Sequence, residues 1–233
     1  MQLIEVSVTG VRSAVITLRS AGTPMRVILV PVIHLGSPGY YRSVTARLAG
    51  CDLIVAEGVS GRSVAASALT LAYRLPARSR RLGLTVQDID YASLGIPIVR
   101  PDVTARQFRE RWRSVPALQR LAVWCLVPPF ALAFALLGTR RTLSRYLALD
   151  DLPTPLEDQA RQMIPQLTEL LLDHRDGLLV DCLASIHQAH QSESIDVAVV
   201  YGAEHMRAVA HELLRRHGYR PREAEWLNVF DFR

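Results

Sequence analysis

Residues 26–59, RVILVPVIHLGSPGYYRSVTARLAGCDLIVAEGV, hold two short apolar runs, each ending abruptly on one ionisable residue: His34 after the first and Glu57 after the second. Val27-Ile28-Leu29-Val30 is nearly continuous and β-branched, and Leu53-Ile54-Val55-Ala56 reads the same way, so both predict strands buried on two faces. Between them, Ser37-Pro38-Gly39 followed by Tyr40, Tyr41, Val44 and Leu48 gives a cap, a turn and an amphipathic helix. A strand-helix-strand unit of this kind builds a parallel sheet, whose strands open at their carboxyl ends onto one crevice. His34 and Glu57 both stand at such ends. Taken singly, each also suits a plainer account, a histidine capping a strand and a glutamate paired with an arginine.

The rest of the chain extends this unit. Residues 2–20 alternate polar and apolar positions around Thr9-Gly10, which predicts an antiparallel hairpin leading into the Arg26 strand. Ser60-Gly61 through Arg81 has helical spacing up to a break at Pro76. Ile96 to Val99 predicts a further strand with Asp102 at its carboxyl end, and Phe108 and Trp112, four apart, predict a helix over 104–112. Residues 156–190 read as helix, with Asp173-His174-Arg175-Asp176 in the middle. Ile195 to Val200 is a buried strand that runs into Tyr201-Gly202-Ala203-Glu204-His205 and then a helix stopping at His217-Gly218, and Arg222 to Phe232 supplies an edge strand or tail. The expected fold is α/β, with a mixed, mostly parallel central sheet, an N-terminal antiparallel hairpin, flanking helices and a helical insertion.

Leu121 to Thr139, LAVWCLVPPFALAFALLGT, is uncharged throughout and just long enough to span a bilayer. Pro128-Pro129 at its centre should break a helix into two pieces too short to cross separately, and arginines on both flanks give no orientation. Membrane contact through 121–139 and a buried helical hairpin or lid are the two readings. On either one, residues 1–233 form a single domain in which 111–155 is an apolar insertion or lid.

A chain of 233 residues with 49% hydrophobic composition is long and apolar enough for a substantial core. Its net charge of +5 comes entirely from arginine, since there is no lysine, and the arginine clusters lack interleaved aromatics or a recognition motif, so nucleic acid is not an expected partner. Cys51, Cys125 and Cys182 are odd in number and far apart, as for core thiols in a reducing compartment. MQLIEVSVTG lacks a basic region followed by an apolar stretch, so a cytoplasmic chain is expected, peripheral to or partly embedded in a membrane if 121–139 makes contact. Pairing with further copies as a homo-oligomer is compatible with this composition.

Two strands end on histidine, and Gly202 precedes His205 in a G-x-x-H spacing that suits a tight turn or a close backbone approach. An imidazole needs an oxygen partner on one nitrogen to present the other to a metal, and Glu204 is adjacent to His205. With Glu57, His34 and His205 could hold a divalent ion with a position open for water, Glu57 serving as ligand or general base. Manganese, cobalt, iron and zinc all suit such donors. Arg175 lies in an apolar helical region and should point at a carboxylate or at an oxyanion formed during reaction; the plainer account is a salt bridge to Asp173 or Asp176. His187 and His190 fit a polar helix face, and His211 and His217 a helix C-terminal end.

Pro31-Val32-Ile33-His34, Ile54-Val55-Ala56-Glu57 and Gly202-Ala203-Glu204-His205 resemble the G-x-x-H, acidic and second G-x-x-H segments of the TraB/PrgY/TIKI superfamily. Leu94 to Asp102 resembles its aspartate-containing loop, and Asp173-His174-Arg175-Asp176 its Glu-Arg-Asp or Glu-Arg-Asn helix motif. The resemblance implies a metal-dependent hydrolase acting on a peptide or a small amide or ester substrate. Alternatively it implies a non-catalytic, ligand-sequestering protein of the TraB/PrgY type. Carried over by position, the site residues are His34, Glu57, Arg175 and His205, with Asp102, Asp176 and Glu204 supporting them. Two departures stand out: Pro31 replaces the first glycine, and Asp173-His174 replaces the usual acidic residue before Arg175.

Overall fold

A computed structural model describes residues 1–58, 64–145, 147–150 and 152–232. In chain order the strands are β1 (Gln2–Val6), β2 (Gly10–Ser20), β3 (Thr23–Val32), β4 (Leu35–Gly36), β5 (Leu53–Ala56), β6 (Thr85–Val86), β7 (Ile98–Val99), β8 (Leu149–Asp150), β9 (Asp196–Gly202) and β10 (Arg220–Asp231). The α-helices are α1 (Pro38–Leu48), α2 (Val64–Ala77), α3 (Ala105–Ser114), α4 (Ala117–Leu137), α5 (Arg140–Ser144), α6 (Pro155–Met163), α7 (Pro165–Thr168), α8 (His174–His190) and α9 (Met206–His217). Eight strands form one mixed sheet among the described residues, in the order β7-β5-β9-β3-β2-β1-β8, with β10 on the other edge of β2.

The parallel core comes from the β-branched runs. β9 pairs in parallel with β3 on one side and β5 on the other, and β5 with β7. Val27 to Val30, Ile54 to Ala56 and Val197 to Tyr201 are all buried, the condition under which strands lose alternation and become continuously apolar. The crossover from β3 through α1 to β5 therefore skips one position, and the last core strand in the sequence, β9, fills it. The register sets Val32 beside Gly202 and Ala56 beside Val200, so three strands end almost level on one rim. The hairpin of β1 and β2 extends the sheet antiparallel, and β10 pairs along β2 from Gly10 to Arg19.

α1 fixes the end of β3. Ser37 caps it by accepting from the Tyr40 N–H, and Tyr40, Tyr41, Val44 and Leu48 face inward. The Tyr40 hydroxyl donates to Pro31 O at 3.0 Å and the Tyr41 hydroxyl to Ile33 O at 2.8 Å, holding the backbone on either side of Val32. Pairing of β3 with β2 stops at Leu29, two residues before Pro31.

Three expectations are corrected. First, α4 continues through Pro128 and Pro129 as one helix. The prolines leave carbonyls around Trp124 and Cys125 without helical donors, but both residues are exposed, so water can serve them. α4 is also not buried: only 11% of its most apolar window is covered, and Leu121, Leu126, Leu132 and Leu136 face solvent. Second, 156–190 is not one helix. α6 ends at Ile164-Pro165, and a π-helical turn over Glu169–Asp173 precedes α8. Third, Cys125 is exposed on α4 instead of lying in the core. The start of the helix expected from Ser60-Gly61 lies outside the described residues; α2 runs from Val64 through Pro76 to Ala77. Within 111–155, β8 returns to the sheet by pairing with β1.

Candidate functional site

His34 stands two residues beyond β3, His205 three beyond β9 and Glu57 one beyond β5, so the level strand ends bring them to one rim. The small antiparallel pair of β4 and β6 places Gln87 against His34: the Gln87 N–H donates to the His34 carbonyl at 2.9 Å, and Gln87 Oε1 is 3.1 Å from His34 Nδ1. With an oxygen as partner, Nδ1 is the protonated nitrogen, and the Nε2 lone pair is left to face the rim. The Tyr73 ring of α2 stacks on the imidazole at 5.0 Å between centroids, with planes 24° apart.

His205 is held in the same tautomer by a different group. It is buried in the turn that opens α9, with Nδ1 2.6 Å from Asp176 Oδ1 and its ring edge-on to Tyr201. Its Nε2 lies 4.0 Å from Glu57 Oε1. The oxygen partner expected next door at Glu204 is thus supplied by Asp176 of α8, while Glu204 points to Arg207 at 3.5 Å and is about half exposed. A π-helical turn, a feature frequent at functional sites, ends just before His174, and the helix that follows brings Arg175 to Glu57 and Asp102 and brings Asp176 to His205.

Arg175 donates through Nη2 to Glu57 Oε1 at 2.6 Å, and through Nε and Nη2 to Asp102 Oδ1 and Oδ2 at 2.9 and 2.7 Å. The Asp102 side chain is fully buried and accepts two more bonds, from the Gly58 and Val103 N–H groups. Neither Asp173 nor Asp176 is the partner of Arg175; Asp173 reaches Arg161 instead. Burial lowers the guanidinium's basicity, but Asp102 and Glu57 outweigh it and push its pKa up. Burial likewise pushes Glu57 up, and Arg175, His34 and His205 overturn that, holding the carboxyl down at about 2. Glu57 is therefore a fixed anion at neutral pH. Removing Arg175 would leave two buried carboxylates uncompensated, typically the costliest way to break such a pair.

Gly202 completes the rim. Its N–H donates to Glu57 Oε2 at 2.8 Å, and its φ of −49° is open to any residue, so the glycine is there for space and not for conformation. A Cβ at this position would lie 3.3 Å from Glu57 Oε2, 3.6 Å from His205 Cδ2 and 3.9 Å from His34 Nε2. The three side chains thus surround a gap that a methyl group would fill.

This donor set fits a divalent ion in kind: two imidazoles tied at Nδ1 with Nε2 free, and one charged carboxylate. As placed, no group of three or more His, Cys, Asp or Glu side chains among the described residues stands close enough together to hold a metal ion. Two donors about 2.1 Å from one ion are separated by roughly 3.4 Å in tetrahedral geometry, against the 4.0 Å between His205 Nε2 and Glu57 Oε1. Closing that gap takes a side-chain movement of well under an ångström. Beside His34 an apolar cavity of about 450 Å³ opens, walled by Ile33, Leu35, Tyr73, Phe130, Phe134 and Leu147.

Sequence reading missed Gln87 and Tyr73. Gln87 sits in the polar run Val86-Gln87-Asp88-Ile89-Asp90, which has the composition of a surface loop, and nothing local announces its pairing with His34. No family model matches the chain, and no curated protein or solved structure matches it.

Proposed function

We propose that the chain is a metal-dependent hydrolase acting on a peptide or a related amide or ester, with His34, His205 and Glu57 as the metal-holding residues. A divalent ion bound there would supply Lewis acidity and lower the pKa of a water molecule it holds. The observation that supports this reading is the matched pair of imidazoles: Gln87 and Asp176 fix Nδ1 of each, and Nε2 of each faces one carboxylate across a glycine that leaves the gap open. Of the two roles expected for Glu57, ligand suits it better than base, because a carboxyl held at about 2 is a weak proton acceptor. Arg175 acts as a positioning residue, since its Nε and Nη2 donors are committed to Asp102 and Glu57. Membership of the TraB/PrgY/TIKI superfamily belongs to the same proposal, and so does contact between the exposed apolar side of α4 and a membrane surface.

Elemental analysis of purified protein beside His34→Ala and His205→Ala tests this reading without a substrate. Wild type should carry about one equivalent of a divalent metal, and each variant should lose most of it; equal content in all three would refute it. A second reading, a non-catalytic protein that sequesters a ligand in the same crevice, is favoured by one feature. Both oxygens of Glu57 already accept hydrogen bonds, from Arg175 and from Gly202. That reading requires peptide binding that survives a chelator.

A further inference from the structure

The cavity beside His34 has a nearly uniform apolar wall. Its volume of about 450 Å³ lies within the range of small-molecule sites, and among the described residues its lining is apolar apart from the His34 ring and the Tyr73 hydroxyl. Four parts of the chain build it: Ile33 and Leu35 on either side of His34, Tyr73 and Pro76 of α2, Phe134 of α4, and Leu143 of α5. The α5 part of the wall, with Leu143, is tied to the body of the protein. Arg140 at the start of that helix donates from Nε to Leu82 O at 2.7 Å and from Nη1 to Asp231 O at 2.9 Å.

His34 is shared between the cavity and the rim: its ring lines the one while its Nε2 faces Glu57 and Gly202 in the other. A molecule with a reacting carbonyl at the rim therefore has an apolar space immediately alongside for whatever that carbonyl carries. We infer that the substrate bears an extended apolar group next to the bond acted on, and that this cavity holds it. The inference rests on the hydrolase reading for the position of the bond, but the cavity's preference for an apolar group can be measured apart from it. An acyl chain and a large apolar peptide side chain share the required chemistry.

The test is a titration of zinc-loaded full-length protein with straight-chain hydroxamates from acetohydroxamate to octanohydroxamate, with octanamide as the same tail lacking a metal-binding head. Affinity should rise roughly fourfold per added methylene until the cavity is full. Ala72→Trp and Leu143→Trp, which put bulk into the cavity from two different helices, should flatten that rise while leaving acetohydroxamate unaffected. Ala72 is exposed on α2, so its replacement leaves the core alone. Affinity independent of chain length, or a rise that both tryptophan variants leave intact, overturns the inference. If the rise is present but octanohydroxamate binds no better than octanamide, the cavity stands and the metal reading fails. If acetohydroxamate binds tightly and longer chains bind no better, the metal reading stands and the cavity inference fails. Comparison with the hydroxamate of N-acetylleucine separates the two sources, a straight chain preferred for an acyl group and leucine preferred for a peptide side chain.

Discussion

At Gly202 the missing side chain matters more than the backbone freedom. Its φ of −49° costs an alanine nothing, yet the added methyl would stand 3.3 Å from Glu57 Oε2, in the gap that His34 and His205 also face. Gly202→Ala should therefore keep a cooperative melt close to wild type and weaken zinc or manganese binding by roughly 10- to 100-fold. Calorimetric titration reads this, and unchanged affinity would show that the gap is not where a metal sits. Glu57 gives a second expectation, for the metal-free protein. Its folded pKa is held at about 2, below the ordinary carboxyl value, so its stabilising contribution is complete above that ordinary value and fades as pH falls toward 2. Relative to Glu57→Gln, wild type in chelator should be more stable at pH 6 by at most about 3 kcal/mol. The difference should vanish by pH 2, as urea unfolding at several pH values would show. A gap that stayed constant with pH would mean Arg175 does not hold this carboxylate charged. His34 and Glu57 were legible because each is the first ionisable group after a buried run, and Asp102 and His205 because each stands three residues past the end of an apolar run that reads as a strand. The pairing of Arg175 with Asp102, 73 residues away, was not, because nothing local records which carboxylate a guanidinium will find.

Among the elements, helices and strands with a single clear period were legible, and those that depend on tertiary context were not. α1, α3 and α9 carry their own caps: Ser37, the Thr104–Gln107 capping box, and Gly218 in the left-handed region at φ 66°. β4, β6 and β8 are two residues each and exist only through their partners, so no periodicity could announce them. The Pro128-Pro129 pair predicts a break in α4, and the helix does not break, because two freed carbonyls on an exposed helix can be hydrated. The same exposure makes α4 testable through its cysteine. Cys125 is exposed, Cys182 partly covered, and Cys51 buried with its thiol pushed up to about 11 by burial. With iodoacetamide at pH 8, Cys125 should alkylate first and Cys51 only on unfolding. If α4 lies on a membrane, anionic lipid vesicles should slow modification of Cys125 severalfold and leave Cys182 unchanged. Equal rates with and without vesicles would remove lipid contact from the account of α4.

Over the whole molecule, the site depends on the chain's last third arriving between two strands laid down near its start. β3 and β5 do not pair with each other; β9, about 140 residues beyond β5, joins them, and it carries Gly202 and His205 with it. Buried apolar runs made all three strands legible in the sequence, but their order in the sheet was not, since equally β-branched runs leave the insertion of β9 undetermined. A parallel core assembled from such distant segments closes its longest loops late, which predicts slow folding and a collapse into non-native states if the last strand is missing. A fragment ending at residue 190 would leave the inner edges of β3 and β5 without partners and strip Leu29, Val30, Ile54 and Val55 of the strand packed between them. It should show no cooperative thermal transition and should aggregate. A separately supplied peptide of residues 191–233, which restores β9, α9 and β10, should recover a cooperative melt together with metal binding. A fragment that melts cooperatively without the peptide would mean the hairpin and β3 form a stable unit unaided, and the convergence of His34, Glu57 and His205 would then be a late docking event instead of a condition of folding.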